Sequence, residues 1–173
     1  QMFSGKAVWT PDTLSGVSGE IALSNKDLNR FSSIGNADNQ GLGVYFSAFR
    51  NKINFLKRAK WQMDSRVNYE MIQPTFTYIN PYRSIEFQRD WNLPLNLEEG
   101  QQLFRASLNQ YFGNKFNLDY SFSYLGSGNQ FNGNKNEINS RLSLKNTEFK
   151  AYASLLNTNT TIEETHFLRP GAS

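Results

Sequence analysis

The chain has 173 residues, of which 38% are hydrophobic and 19% charged, and its formal net charge is +3. A mean hydropathy of −0.60 is too polar for a helical membrane protein, and 14 Phe with 8 Tyr are too many for a disordered chain. The basic residues are scattered, so no nucleic-acid partner is expected, and the absence of cysteine excludes disulfides and thiolate chemistry.

The first forty residues predict two short strands and a loop. In residues 6–11 Ala7 and Trp9 would share one side, and in residues 17–24 Val17, Ile21 and Leu23 would share one face, as in strands. Ser24 or Asn25 stands where it could cap one or two helical turns through residues 26–31. Residues 35–41 are rich in Gly and Asn and predict a loop.

The next segment predicts a buried strand, a basic connection and an amphipathic strand. Residues 41–50 are nearly continuously apolar, which suits either a strand buried on both faces or a strand whose inward face is lined by small groups. Residues 51–60 carry Lys52, Lys57, Arg58 and Lys60, which suit either an exposed hairpin tip or contact with lipid phosphates. Residues 61–72 alternate most clearly, and we expect one dry face and one wet face. The expected dry face comprises Trp61, Met63, Val67, Tyr69 and Met71.

Residues 80–92 lie between Pro81 and Pro94 and combine aromatic side chains with paired opposite charges. Their alternation predicts a strand with Arg83, Ile85, Phe87, Arg89 and Trp91 on one face. Two interpretations stay open: an ordinary strand whose charges pair with its neighbours, or an interaction strand, since arginine and aromatics are enriched in interface hot spots. The candidate interaction residues are Tyr82, Arg83, Glu86, Phe87, Arg89 and Trp91.

The second half predicts two long hairpins followed by an extended end. Residues 101–112 and 115–125 flank the turn at Gly113, and residues 137–144 and 148–156 form the second pair. Residues 126–136 are rich in Gly and Asn and predict a loop between the hairpins. Residues 157–170 are rich in threonine and predict extended chain.

Together these patterns predict an all-β chain built as an antiparallel sheet of successive long hairpins, with about eight to ten strands. The sheet could be part of a large barrel or an open curved sheet. Residues 1–173 could be a single domain or a segment of a much larger cell-envelope protein. The start of the sequence has no signal-peptide pattern, which favours an internal segment.

No group of residues predicts catalysis, a metal or a cofactor. His166 is the single histidine, so neither a histidine-based triad nor a pair of imidazole ligands is available. The adjacent carboxylates Glu98–Glu99 and Glu163–Glu164 would point to opposite faces of a strand. We therefore expect a protein that is not an enzyme.

Three segments carry a family resemblance: residues 24–35, residues 80–92 and residues 164–170. Their sequences are SNKDLNRFSSIG, NPYRSIEFQRDWN and ETHFLRP. In these segments the chain resembles the SprA/Sov proteins of Bacteroidota, large outer-membrane proteins needed for gliding motility and type IX secretion. The resemblance implies a β-barrel translocon that passes folded cargo from the periplasm to the cell surface.

Under this resemblance the chain would be a structural and interaction segment of the Gram-negative cell envelope. Its partners would be other segments of the parent protein and secretion-system subunits or secreted cargo, with outer-membrane lipid as a further candidate. Two other classes stay open. An independent β-sheet binding module, at the cell surface or in the periplasm, could for example bind glycans through exposed aromatics. An enzyme is disfavoured by the missing catalytic groups.

Overall fold

The computed structural model describes residues 1–26, 39–54, 60–77, 83–94, 97 and 99–173. Strands dominate it, because most of these segments alternate side chains with a period of two. One helical turn, α1 (Phe87–Asp90), lies between the fourth and fifth strands. The strands are β1 (Met2–Asp12), β2 (Ser15–Asn25), β3 (Gln40–Asn54), β4 (Trp61–Ile72), β5 (Gln101–Phe112), β6 (Phe116–Ser127), β7 (Phe131–Leu144), β8 (Thr147–Thr160) and β9 (Glu164–Ala172).

The nine strands form one antiparallel sheet in the order β1 to β9, each paired with its predecessor in the chain. This confirms the predicted all-β sheet of successive hairpins. The sheet is not closed: β1 and β9 are its two edges. Within the described chain, extensive contacts between elements join only neighbouring strands, so the sheet forms a single layer.

The predicted bounds of β4 and β5 agree with the structure, whereas the predicted loop at residues 126–136 is wrong. β6 continues to Ser127 and β7 begins at Phe131, and Gly126 pairs with Asn132. Strand pairing uses backbone groups, which Gly and Asn supply as well as any residue. The turn itself occupies residues 128–130, and Gly128 adopts a φ of 45° that suits glycine.

The predicted strand over residues 80–92 is also wrong. Residues 80–82 lie outside the described residues, and the chain from Ser84 to Asn92 forms turns around α1. The amide of Trp91 donates to the Phe87 carbonyl at 3.2 Å. Phe87 and Trp91 share a face at helical spacing as well as at strand spacing, so the aromatic pattern alone did not distinguish the two.

Two smaller predictions concern the connections near β3. The predicted helical turns at residues 26–31 fall almost wholly outside the described residues, as do residues 35–38 of the predicted loop. β3 starts at Gln40, inside that loop, and runs beyond the predicted end at Arg50 to Asn54. The register of β3 against β4 is irregular between Arg50 and Ile53, where Lys52 has a φ of 54°. This irregularity separates the last two residues of β3 from the rest of the strand.

Candidate functional site

The two faces of the sheet differ sharply in charge. Residues that pair directly across strands share a face, so the register assigns every strand residue to one side. The charged residues of one face, the polar face, are Lys6, Glu20, Asp64, Arg66, Glu70, Arg105, Asp119, Lys135, Glu137, Arg141, Glu148, Lys150 and Arg169. The opposite, apolar face has charged side chains only towards strand ends, at Asp12, Arg50 and Glu164, with Lys52 in the irregular segment.

The apolar face is uncovered in the described chain. Trp9 is 66% exposed at one edge and Leu168 is 68% exposed at the other. The expectation of a dry face on β4 is therefore wrong within this chain, although the predicted alternation is confirmed. The large exposed side chains of this face are Phe3, Trp9, Ile21, Leu23, Phe46, Trp61, Val67, Tyr124, Ile138, Leu142, Leu144, Phe149, Leu155 and Leu168.

Burial occurs on the polar face instead. Every buried strand residue of the described chain lies there, including Ile72, Leu103, Leu125, Phe131 and Leu156. The cover is the connection from β4 to β5, residues 73–100, which we call the strap. Its described parts are residues 73–77, 83–94, 97, 99 and 100. The buried core of the described chain therefore lies between the strap and the charged side of the sheet.

The beginning of the strap lies on β2 and β3. The Thr77 amide donates to Ser24 Oγ at 3.0 Å, and the Thr75 hydroxyl donates to the Gln40 carbonyl at 2.6 Å. Phe76 sits over two glycines of β3: a Cβ at Gly41 would come within 2.3 Å of the Phe76 backbone, and one at Gly43 within 3.1 Å of its ring. Glycine is required here because the strap backbone touches the sheet.

Arg83 fixes the middle of the strap to β4 and β5. Its guanidinium donates to the carboxylate of Glu70 and to the side-chain carbonyl of Gln101. The Arg83 and Glu70 side chains are 17% and 16% exposed, so the ion pair is shielded from water. The guanidinium also lies 4.3 Å from the centre of the Phe87 ring, a cation–π distance.

Phe87 and Trp91 project from α1 onto the sheet. They pack with Leu103, Leu125, Phe131 and Leu156, which come from β5 to β8. The two rings lie 6.4 Å apart, and Lys135 Nζ lies 5.7 Å from the centre of the Trp91 ring. Gly133 on β7 makes room for them, since a Cβ there would approach the Trp91 ring to 3.3 Å.

The end of the strap is held by the turn between β6 and β7. The Ser127 hydroxyl donates to the Glu99 carbonyl at 3.2 Å, and the Asn129 amide donates to Glu99 Oε2 at 2.8 Å. A Cβ on Gly128 would collide with the Glu99 carboxylate. The strap thus contacts the polar face at points from β2 to β8, all near one end of the strands.

The six candidate interaction residues have different environments. Tyr82 lies outside the described residues, while Arg83, Phe87 and Trp91 are anchors of the strap within the chain. Glu86 and Arg89 face solvent and pair with each other at 2.6 Å. Sequence reasoning missed the receiving residues Leu103, Leu125 and Leu156; the signal was that each interrupts a polar stripe with an apolar side chain.

The described chain shows no group of three or more His, Cys, Asp or Glu residues that could hold a metal ion. His166 is exposed near the start of β9 and lies 2.8 Å from Asn157 Oδ1 and 3.6 Å from Glu164 Oε1. Across the described residues, no helix has the length and apolar character that crossing a membrane demands. Comparisons with protein-family models, with curated proteins and with solved structures found no match to this chain.

Proposed function

We propose that this chain is a non-catalytic segment of a SprA-like outer-membrane protein of the gliding and type IX secretion machinery. Its nine strands would form part of a larger transmembrane wall, with the apolar face against lipid and the polar face lining a passage. The proposal combines the sequence resemblance with the arrangement of the sheet. The implied partners are neighbouring segments of the parent protein, secretion subunits or cargo, and outer-membrane lipid.

One observation carries the proposal: the separation of charge between two faces over nine consecutive strands. In a water-soluble protein a single sheet buries its apolar face under a second layer. Here the buried residues lie on the charged face, and the apolar face stays open. A wall between lipid and water has this arrangement, with apolar residues outward and polar residues towards the interior.

Strand lengths are compatible with such a wall. The strands range from nine residues in β9 to fifteen in β3, and about nine to eleven tilted residues cross a bilayer. Sequential antiparallel hairpins are also the topology of bacterial transmembrane walls. The strap would then lie on the passage side, where it would reduce the open area and present Glu86 and Arg89 to the interior.

The test uses two neighbouring residues in the middle of β5. Ala106 lies on the apolar face and Ser107 on the polar face, and both are half-buried. With the chain folded in phosphatidylcholine vesicles, Ala106→Arg should lower the free energy of unfolding by about 2–4 kcal/mol, the cost of arginine near the middle of a bilayer. Ser107→Arg should change it by less than about 1 kcal/mol, because its side chain would meet water.

Urea unfolding in vesicles measures both values, and the same pair measured in buffer is the control. Equal effects of the two substitutions in vesicles would contradict the proposal. A chain that folds as a stable monomer in buffer and ignores added vesicles would contradict it as well, and would favour an independent surface module.

A further inference from the structure

A row of directly paired residues crosses the polar face away from the strap. Asp64 of this row lies six residues along β4 from Glu70, the partner of the strap residue Arg83, which is about 20 Å along the strand. The described part of the strap does not line this region, so the row is open. From β4 to β9 the row consists of Asp64, Asn109, Asp119, Asn139, Tyr152 and Gly171.

Two shallow depressions follow this row and meet at Asp119 and Asn139, which line both of them. One has a volume of about 650 Å³ and extends to β9, and the other has a volume of about 400 Å³ and extends to β4. Together they form one groove, which we call the polar groove. It crosses from β4 to β9 and strands lie about 4.8 Å apart, so the groove is about 24 Å long. That length suits an extended chain molecule.

Tyr152 provides an aromatic surface at the β9 end of the polar groove. Gly171 is paired with it, and a Cβ on Gly171 would come within 2.5 Å of Tyr152 Cε1, so the ring lies against the backbone of β9. An aromatic side chain often covers a cross-strand glycine in this way. The residue is still 46% exposed. Its ring can therefore receive the C–H groups of a ligand on the electron-rich face.

Side-chain amides lie beside this ring. The Asp119 carboxylate accepts hydrogen bonds from Asn109 Nδ2 and from Asn117 Nδ2, the second at 2.9 Å. These bonds orient the two amides, and each amide keeps a carbonyl oxygen and a second N–H for a ligand. The exposed Asn139 side chain has no hydrogen-bond partner among the described residues. The polar groove thus offers both donors and acceptors next to an aromatic face.

Charges along the polar groove are balanced. At the β9 end, the Arg141 guanidinium pairs with Glu148, and Lys150 Nζ lies 3.8 Å from Glu148 Oε1. Asp119 supplies the second negative charge there. The β4 end likewise combines a carboxylate with a guanidinium, from Asp64 and Arg66. Binding of nucleic acid or another polyanion needs an excess of positive charge, so the polar groove is unsuited to such ligands.

A peptide strand is not a suitable ligand either. Peptides that add to a sheet bind through the free backbone groups of an edge strand. The backbone under the polar groove is already paired in the ladders of β4 to β9. Only side chains are available for binding, and they are an aromatic ring, amides and balanced charges.

We infer that the polar groove binds a neutral oligosaccharide, with a sugar ring against Tyr152 and its hydroxyl groups hydrogen-bonded to Asn117 and Asn139. A sugar ring has faces of C–H groups and a rim of hydroxyls that donate and accept hydrogen bonds, which matches an aromatic face bordered by amides. The inference goes beyond the proposed function, because the polar groove does not depend on what covers the apolar face.

Isothermal titration calorimetry tests the inference with three neutral probes: cellohexaose, maltohexaose and mannohexaose. The chain is titrated in phosphatidylcholine vesicles or in buffer, whichever medium it folds in. We expect at least one probe to bind, and a heparin hexasaccharide of the same length but high negative charge not to displace it. Tyr152→Ala should weaken binding about tenfold by removing the ring. Asn139→Ala should weaken it about twofold to tenfold by removing hydrogen bonds.

Two further variants control for folding. Tyr152→Ala also uncovers Gly171, whereas Tyr152→Phe keeps the ring in place and should retain most of the affinity. Tyr45→Ala is the matched control, because Tyr45 is an exposed tyrosine of the same face, at 39%, that does not line the polar groove. It should leave the affinity unchanged.

The outcomes separate the inference from the proposed function. Failure of all three neutral probes to bind would overturn the inference, and so would equal losses of affinity in Tyr152→Ala and Tyr45→Ala. Preference for the heparin probe would overturn it as well, since charge would then dominate binding. Sugar binding by a chain that folds in buffer and ignores vesicles would support the inference and contradict the proposed function. Absence of sugar binding, together with the expected difference between Ala106→Arg and Ser107→Arg, would do the reverse.

Discussion

The strap contains two arginines, Arg83 and Arg89, with different roles. Arg83 pairs with Glu70 of β4, and both side chains are largely shielded from water. Arg89 pairs with Glu86 of its own helical turn, and their side chains are 72% and 52% exposed. Exposed ion pairs contribute little because water screens them, whereas a shielded pair loses that screening. A variant with both arginines replaced would therefore combine the loss of a strap anchor, Arg83, with the loss of a surface charge, Arg89, and could not separate the two effects.

A double-mutant cycle separates these roles. For Arg83→Met and Glu70→Gln we expect a coupling free energy of about 1–3 kcal/mol, because each single change leaves a shielded polar group without its main partner. The same cycle for Arg89→Met and Glu86→Gln should give no more than about 0.5 kcal/mol. The urea dependence of proteolytic cleavage within residues 73–100, which reports detachment of the strap, gives both couplings from the four single variants and the two double variants. Equal couplings would show that Arg83 does not anchor the strap.

At the scale of elements, the strap depends on one aromatic cluster. Trp91 contacts the sheet through side chains of β5 to β8, and no second layer supplies an alternative core among the described residues. Trp91→Ala should lower the stability of the docked strap by about 3–5 kcal/mol through lost apolar burial and an unfilled cavity. The strands are held by their own ladders, so the strap should detach before the sheet unfolds.

Limited proteolysis tests this prediction, with cleavage expected within residues 73–100 and unchanged far-UV circular dichroism. Ile85→Ala is the matched control, because Ile85 lies in the same segment and is fully exposed at 100%. A cleavage rate that Trp91→Ala leaves at the level of the control would refute the docked strap. Loss of strand signal together with cleavage would show that sheet and strap unfold as one unit.

At the scale of the whole molecule, the connections at the two ends of the sheet differ in length. Residues 13–14, 55–60, 113–115 and 145–146 join strands at one end. The two longest connections, residues 26–39 and the strap, are both at the other end. Transmembrane walls of outer-membrane proteins have short turns on the periplasmic side and longer loops outside. The strap end should therefore face the cell surface if the proposed function is correct.

Cysteine labelling checks this orientation, because the chain has no cysteine of its own. We expect Ile162→Cys, at the strap end, to react with a membrane-impermeant maleimide on intact cells that carry the full-length protein. Asn114→Cys, in the turn at the opposite end, should react only after the outer membrane is opened. The reverse pattern would invert the orientation, and equal labelling of both on intact cells would argue against a spanning wall.

The sequence by itself determined the sheet and the identity of its faces. Side chains of a strand alternate regardless of what surrounds them, so the period of two in residues 61–72 and 101–112 predicted β4 and β5 correctly. The charge of each face followed from the same local rule. The hairpins β5–β6 and β7–β8 needed only short connections, which the turns at Gly113 and at residues 145–146 provide.

Only the tertiary structure decided which face is covered and how residues 83–92 fold. Leu103, Leu125 and Leu156 are apolar residues within polar stripes of their strands. They form a core only because Phe87 and Trp91 of the strap pack against them. The helical turn is stabilised by that docking, since four residues cannot form a stable helix alone. Such contacts join residues far apart in sequence, so no local pattern encodes them, and residues 83–92 form part of the strap and not the predicted strand.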